Sequence, residues 1–543
     1  MRWLIGIFVA LTFQQSWWLG SLNAVPKATV EGYPSVPAGA APVWRFWSPV
    51  YQRHFYTIRE AERDKVLDRL GHVWTYEGIA YRAFPSCSVD GLAPVHRFWS
   101  DRIRAHFYTI SERERDKLIN DYASVWTYEG VAFYAYPAGR QPGGTIAVHR
   151  FWSDALRTHF YTTSDPERFK LAGLYSHLWD YEGVAWYAYP SDINSVATIV
   201  NGPYLQQVKP DSVTIVWETD IPADSEVRYG VGTSEEFIVS DPAMATLHRL
   251  VLAGLVADTL HAYRATSGGS FSTGTFETAP AAQRPFRFAV YGDTRTYPDT
   301  HRQVVTGIIQ SGPEIAFHTG DIVGRGRDYF VWETEFFDPA SELISHTPVV
   351  PVPGNHDYAG EGPPWFYYYF DRPLNEGWFS MTYGSVRFIG LDTSVAYWPG
   401  SPQYEWLLRE LGSAEYGNAT WHVVIFHEPP FTCTTGHTDN AVVQSHLVPL
   451  FEPYGVDVAF QGHSHAYERY LHNGIYYIVT GGGGGPLYPL APDTVPPIRE
   501  FGLAVHHHCV ADVDPAAGTL TITAVDMDGQ VFDRVELSAA QQE

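Results

Sequence analysis

Gln461-Gly462-His463-Ser464-His465-Ala466-Tyr467-Glu468-Arg469 sets two imidazoles two residues apart, directly behind the apolar run Val456 to Phe460. Read outward from there, the same arrangement recurs. Phe426-His427-Glu428 follows the run from His422, and Gly354-Asn355-His356-Asp357 follows Thr347 to Val352. Thr319-Gly320-Asp321 follows Ile315 to His318, and Tyr291-Gly292-Asp293 closes Phe286 to Tyr291. These runs, with Val386 to Leu391 and Gly474 to Thr480, alternate with helical stretches, which predicts an α/β domain with its strands buried in a layered sheet. Sites in such folds gather at the carboxyl ends of strands. A glycine before most of these polar residues is expected to permit the sharp turn that aims the side chain.

The residue types fit divalent metals. Carboxylates, imidazoles and an amide oxygen suit zinc, iron or manganese. Two such ions sharing one carboxylate can clamp an in-line displacement at phosphorus. A lone Gly-Asp or strand-end His carries little information, but five such loops in order, each behind a predicted strand, specify a site.

These motifs resemble the calcineurin-like metallophosphoesterase superfamily, and within it the purple acid phosphatases, to whose late histidine block Gln461 to Arg469 is similar. The run Gly481 to Gly485 and Pro486-Leu487-Tyr488 resembles that group's glycine-rich loop. The resemblance implies that Asp321 bridges two metals, with Asp293 and His465 on the first and Asn355, His427 and His463 on the second. It implies that His356 donates to the substrate phosphate or protonates the leaving oxygen, and that a metal-bound hydroxide attacks.

Two positions depart from the pattern. Gly324 stands where purple acid phosphatases have a tyrosine ligand, so no purple colour is expected, and Arg295 stands where other members have a histidine. The first metal is one ligand short. His301 would supply it if a helix begins near Asp299; otherwise water completes the shell and His301 is a surface helix residue. Arg295 is expected either to contact substrate phosphate through its planar fork or to make a structural salt bridge. His437, in Thr435-Gly436-His437, belongs to a loop that approaches substrate in related phosphatases. His318 reads as core or supporting, Glu468 and Arg469 as a structural pair behind His465, and His506-His507-His508 as a strand start with alternating faces.

Outside this region an internal repeat dominates. Arg45-Phe46-Trp47-Ser48 returns at Arg97 and Arg150, and His54-Phe55-Tyr56-Thr57 at His106 and His159. Trp74, Trp126 and Trp179, each ahead of a Tyr-Glu-Gly, lie 52 and 53 residues apart. Three copies predict one β-rich pseudo-threefold unit, similar to an aromatic repeat of secreted bacterial proteins. Its large aromatics are expected in the core, the other reading being a cell-wall or carbohydrate surface. Between repeats and site, short strands including Ser212 to Trp217, Glu226 to Tyr229 and Arg249 to Leu252 predict a β-sandwich. Gly202-Pro203-Tyr204-Leu205 and Val216-Trp217-Glu218-Thr219 resemble the fibronectin type III-like domain that precedes the catalytic domain in purple acid phosphatases.

The expected organisation is therefore a signal peptide (1–24), the repeat unit (40–190), the fibronectin type III-like sandwich (198–280) and the α/β layered phosphoesterase domain (284–538). Arg2 before the apolar Trp3 to Phe13 carries the first assignment, hence a secreted or periplasmic protein. No later stretch is long and apolar enough for a membrane span. A net charge of −24 argues against a nucleic-acid backbone as partner. Three cysteines make no disulfide framework, although one bridge, such as Cys433 to Cys509, is open. The function expected is hydrolysis of small phosphate monoesters. A phosphodiesterase or nucleotidase with the same site, and a surface-binding protein with a degenerate phosphoesterase domain, are the alternatives.

Overall fold

The computed structural model describes residues 37–539, apart from 38, 173–174, 176–177, 192–196, 359–363, 371–376 and 494. The expected signal peptide lies outside the described residues. No described helix is long and apolar enough to cross a membrane.

The repeats fold as three sheets of three strands each, with matching registers: Phe46 faces Phe55, Phe98 faces Phe107 and Phe151 faces Phe160. The hairpins turn on residues with positive φ at equivalent places, Gln52, Arg104 and Arg157. Three tyrosines join the sheets in a closed cycle. The Tyr56 hydroxyl donates to the Tyr161 carbonyl (2.8 Å), Tyr161 to Tyr108 (2.7 Å) and Tyr108 to Tyr56 (2.7 Å). A second cycle of ion pairs runs outside it, Arg97 on Glu62, Arg150 on Glu114 and Arg45 on Glu167. The core is made of these tyrosines and of Phe46, Phe98 and Phe151, all buried. The repeated tryptophans do not join it fully: Trp47, Trp99 and Trp152 are only partly buried, their rings tilted at 44° to 47° against His54, His106 and His159. A bulky indole at the strand end beside a polar imidazole fits the rim better than the axis.

In the next unit, the runs expected as separate strands, Ser212 to Trp217 and Glu226 to Tyr229, are one long strand, Ser212–Val231. It pairs along Phe237–Ala253, and the register breaks between Glu218 and Ser225. Its first half lies beside Ile199–Gln206 and its second beside Leu260–Ser267. All these strands belong to one five-stranded sheet, and the irregularity that bends the long strand stands in for the turn expected between its two halves.

The remainder holds two packed sheets. One has the order Val349–Pro351, Ile315–His318, Phe286–Tyr291, His507–Asp514, Thr519–Asp526, Val531–Ser538. The other runs Phe379–Tyr383, Val386–Gly390, Trp421–Ile425, Val458–Gln461, Ile475–Thr480, Tyr467–His472, Phe501–Leu503. Phe288, Phe317, Phe388, Val423, Phe460 and Ile478 fill the space between them. Each such side chain contributes ~2 kcal/mol by leaving water. Helices Pro298–Ser311 and Asp338–Ile344 cover the first sheet with their apolar faces, and Pro402–Leu411 covers the second. Phe286–Tyr291, Ile315–His318 and Val349–Pro351 run parallel at one side of the first sheet, and Val386–Gly390, Trp421–Ile425, Val458–Gln461 and Ile475–Thr480 run parallel in the middle of the second, so their carboxyl ends emerge along common edges and deliver the five polar loops to one place.

Candidate metal centre

Asp293, Asp321 and His465 converge first: one ligand atom from each lies within 4.8 Å of the others, and all three residues are buried. His465 Nε2 is 3.4 Å from Asp293 Oδ1. Asp321 is the hinge to a second group, with His427 Nε2 3.2 Å from its Oδ1. His427 Nε2 and His463 Nδ1 each lie 3.0 Å from Asn355 Oδ1 and 3.2 Å from one another. His356 lies beside them: its backbone N–H donates to Asp321 Oδ1 (2.9 Å) and its Nε2 is 4.0 Å from Oδ2.

The backbone is bent hard to achieve this. Asp293 (φ 58°), Asp321 (φ 52°) and His463 (φ 67°) all occupy the left-handed region, which costs a non-glycine residue on the order of 1 kcal/mol or more and gathers at functional sites. At Gly292 and Gly462 the ligand residue that follows, and not the glycine, carries the positive φ; at Gly320 both do. The glycines serve another need. A Cβ on Gly292 would lie 1.9 Å from Thr319 Oγ1, and one on Gly462 2.3 Å from Asp293 Oδ2. They let neighbouring loops touch.

Donor chemistry tests whether a cation fits. His427 Nδ1 faces the Thr319 carbonyl at 2.9 Å and His465 Nδ1 the Pro486 carbonyl at 2.7 Å. A carbonyl can only accept, so both rings donate there and turn Nε2 lone pairs inward. His427 Nε2 then faces the oxygens of Asn355 and Asp321, acceptor against acceptor. Such a set is frustrated unless a proton or a metal ion sits among the atoms. Burial disfavours charge on His427, yet the Asp321 and Asp293 carboxylates raise its pKa. Burial, with His427 and His437 nearby, depresses His463 to about 2, leaving it a neutral ligand. Burial would also raise Asp321, but His427, His356 and Arg295 hold it below its ordinary value. The residues fit a divalent metal.

Residues 286–467 match the calcineurin-like phosphoesterase family. Residues 38–190 match a domain of unknown function, DUF5648. The chain is 26% identical to purple acid phosphatase 15 of Arabidopsis thaliana over 54% of its own length and 62% of the relative's. It is 28% identical to purple acid phosphatase 18 of the same plant, over 45% of its length and 57% of the relative's. The aligned part thus spans less than two thirds of either relative. A purple acid phosphatase from yellow lupin (Lupinus luteus) seeds shares the fold, with a TM-score of 0.55, 19% identity, and coverage of 66% of this chain and 77% of the other.

Within this phosphoesterase domain the remaining expectations divide. His437 is brought in, its ring 3.9 Å from that of His463. Arg295 is brought in as well, but onto protein groups: Nε is 3.2 Å from Asp321 Oδ2 and a terminal nitrogen 3.4 Å from His465 Nε2. His301 does lie on a helix that starts at Pro298, yet it is buried and not on the surface. Its Nδ1 donates to the Glu335 carbonyl (2.8 Å) and its ring packs on Phe336 and Tyr291, and none of these described contacts is with Asp293. The expected Glu468–Arg469 pair is absent. Glu468 turns to Thr432 and Arg499, and Arg469 to Asp533 and Glu500, because successive residues on a strand face opposite ways. His507 bonds Thr480 and His508 bonds Ser311, both outside the cluster. All three cysteines are free.

Three contributors went unassigned. Asp357 accepts from the N–H groups of Ile322, Val323 and Gly354, tying the Asp321 loop to the Asn355 loop. Tyr488 stacks flat on His465, 4.5 Å between centroids. Gly485 N–H donates to the Asp293 carbonyl at 2.7 Å. Asp357 and Tyr488 stand inside motifs already visible in the sequence, and only their partners were hidden.

Proposed function

We propose that this chain is a metal-dependent phosphatase that hydrolyses phosphate monoesters. The observation that carries the reading is the inward-facing, donor-poor set Asp321, Asn355, His427 and His463, joined through Asp321 to Asp293 and His465. The first four would hold one ion. Asp293, Asp321 and His465 would hold a second, iron, zinc or manganese being the ions such donors take. When bound, these ions supply a water of lowered pKa and neutralise phosphate charge. The protein's own part is to hold the ligands rigid and to handle a proton. His356 donates from Nδ1 to the Gly324 carbonyl at 2.9 Å, which leaves Nε2 on the Asp321 side, 4.0 Å from Oδ2. There it can protonate the departing ester oxygen. His437 packs on the His463 ring.

The relatives named purple acid phosphatases support this chemistry, and the domains follow it: an export signal at 1–24, the repeat unit at 40–190, a fibronectin type III-like sandwich at 198–280 and the catalytic domain at 284–538, in a secreted or periplasmic protein. The half-buried tryptophans on the rim of the repeat unit favour attachment to cell wall or polysaccharide, and retention of the full chain on peptidoglycan would test that role. The decisive assay is hydrolysis of an aryl phosphate monoester against its diester, on protein with quantified metal. Monoester turnover lost in Asp321→Ala is expected. Preference for the diester would move the substrate class to phosphodiesters, and metal-loaded protein inert on both esters would overturn the reading.

A further inference from the structure

We propose that Arg295 guards one of the two metal positions: its guanidinium stands in for a cation between Asp321 and His465, so the chain fills one site tightly and the other only after Arg295 withdraws. This rests on the metal-dependent reading of the centre.

The two halves of the centre are not alike. Asn355, His427 and His463 contact one another, and His427 contacts Asp321 Oδ1. On the other half, Arg295 points two of its nitrogens at Asp321 Oδ2 and His465 Nε2. Since His465 Nδ1 is committed to the Pro486 carbonyl, Nε2 is a pure acceptor, and the guanidinium satisfies it as a metal would. An arginine cannot lose its proton here, so the charge is permanent. A divalent ion and the guanidinium would need the same two lone pairs, and at a separation of ~4 Å they would repel strongly in a site this dry.

The walls do not yield. A Cβ on Gly485 would lie 2.6 Å from His465 Cε1, and one on Gly481 2.3 Å from the Ser464 carbonyl. Only about an eighth of the Arg295 side chain is exposed (13%). The cradle therefore takes the guanidinium or an ion, not both. A guanidinium with one divalent ion already outweighs the two carboxylates, Asp293 and Asp321, so charge alone asks for no second metal.

The test is manganese binding to metal-stripped full-length protein, with stoichiometry from equilibrium dialysis and the electron paramagnetic resonance spectrum of the bound ions. The wild type is expected to hold one ion tightly, with the spectrum of an isolated ion, and a second at least ~10-fold more weakly. Arg295→Ala and Arg295→His should hold two tightly, with a spectrum showing exchange coupling, while Arg295→Lys should stay at one. His427→Ala should lose the tight ion. Melting curves of each variant separate misfolding from loss of a site. Two ions of like affinity in the wild type, or one ion in both Arg295→Ala and Arg295→His, overturns the guard and leaves the metal centre standing. Failure of wild type and all variants to bind manganese or zinc overturns the metal reading, and this proposal with it.

Discussion

The tyrosine cycle of the repeats and the centre of the phosphoesterase domain solve opposite problems with similar means. Both collect buried polar atoms from segments far apart in the chain. In the cycle every hydroxyl that donates to one carbonyl has a defined partner, and the backbone N–H groups of Tyr56 and Tyr108 return a bond to the hydroxyls of Tyr108 and Tyr161. Within the cycle donors meet acceptors, so it asks for no ligand. In the centre acceptors face acceptors: His427 Nε2, turned inward by the Nδ1 bond to Thr319, stands 3.0 Å from Asn355 Oδ1 and 3.2 Å from Asp321 Oδ1. Satisfied networks specify a structure, whereas an unsatisfied one is a demand for a ligand. The difference separates a stabilising cluster from a reactive one without reference to any relative.

The largest test removes the shared carboxylate. Asp321→Asn keeps the shape but not the charge, and monoester turnover should fall at least ~10³-fold, the scale of a single charge-stabilising group. Metal content per chain should fall with it. Retained metal and turnover would break the contrast, because the centre would then be as closed as the cycle. Next is His356→Gln, expected to cost about 10²- to 10³-fold in kcat, within the range for a general acid, with metal content unchanged. The loss should shrink for esters whose leaving group is already acidic. An equal loss on every ester would assign His356 to binding instead.

Why some of this was legible in the sequence and some was not follows from where the causes lie. Strand-end loops are local: an apolar run followed by Asp, Asn or His declares itself, and the five loops do meet. The threefold repeat was equally open to reading, since copies that keep Phe, Tyr and Trp at fixed spacing must fold alike. The reason for a glycine was not. Gly292 is excluded from bearing a Cβ by Thr319 Oγ1, and Gly462 by Asp293, contacts that exist only after other loops arrive. Glu468 and Arg469 read as partners through adjacency, but the strand turned them apart. His301 read either as a ligand of the first metal or as a surface helix residue, because helix position alone does not reveal that Phe336 and Glu335 pack over it.

Glu218 lies between the two extremes of the comparison. It is buried where the bent β unit meets the phosphoesterase domain and accepts from Asn201, Tyr369 and Tyr368. Burial outweighs those donors and pushes its pKa from an ordinary 4.5 up to about 7. A carboxyl whose folded pKa is raised favours the fold when protonated. Its contribution is full below about pH 4.5 and disappears as pH rises through 7, a change on the order of 3 kcal/mol. Thermal melts at pH 5 and pH 8 should show wild type losing this increment while Glu218→Gln does not. Equal pH dependence in both would mean the hydroxyl donors satisfy the charge fully, placing Glu218 with the closed cycle.

The smallest effect expected is in the cycle itself. Tyr108→Phe deletes a hydroxyl that donates to the Tyr56 carbonyl and accepts from the Tyr56 N–H. The ring stays, so packing is kept, but two buried backbone groups lose their partner, at a cost of about 1 to 3 kcal/mol. Tyr161→Phe should cost the same within error, since its hydroxyl also donates to a carbonyl and accepts from an N–H, whereas Tyr56→Phe should cost less, because the bond described for that hydroxyl is the single one to the Tyr161 carbonyl. Monoester turnover and metal content should not change in any of the three. A tyrosine whose loss is free would show that its link is redundant with the neighbouring pairs of Arg97, Arg150 or Arg45. A loss that reached turnover would show the repeat unit coupled to the catalytic centre, and the division between closed and reactive clusters would have to be redrawn across the whole chain.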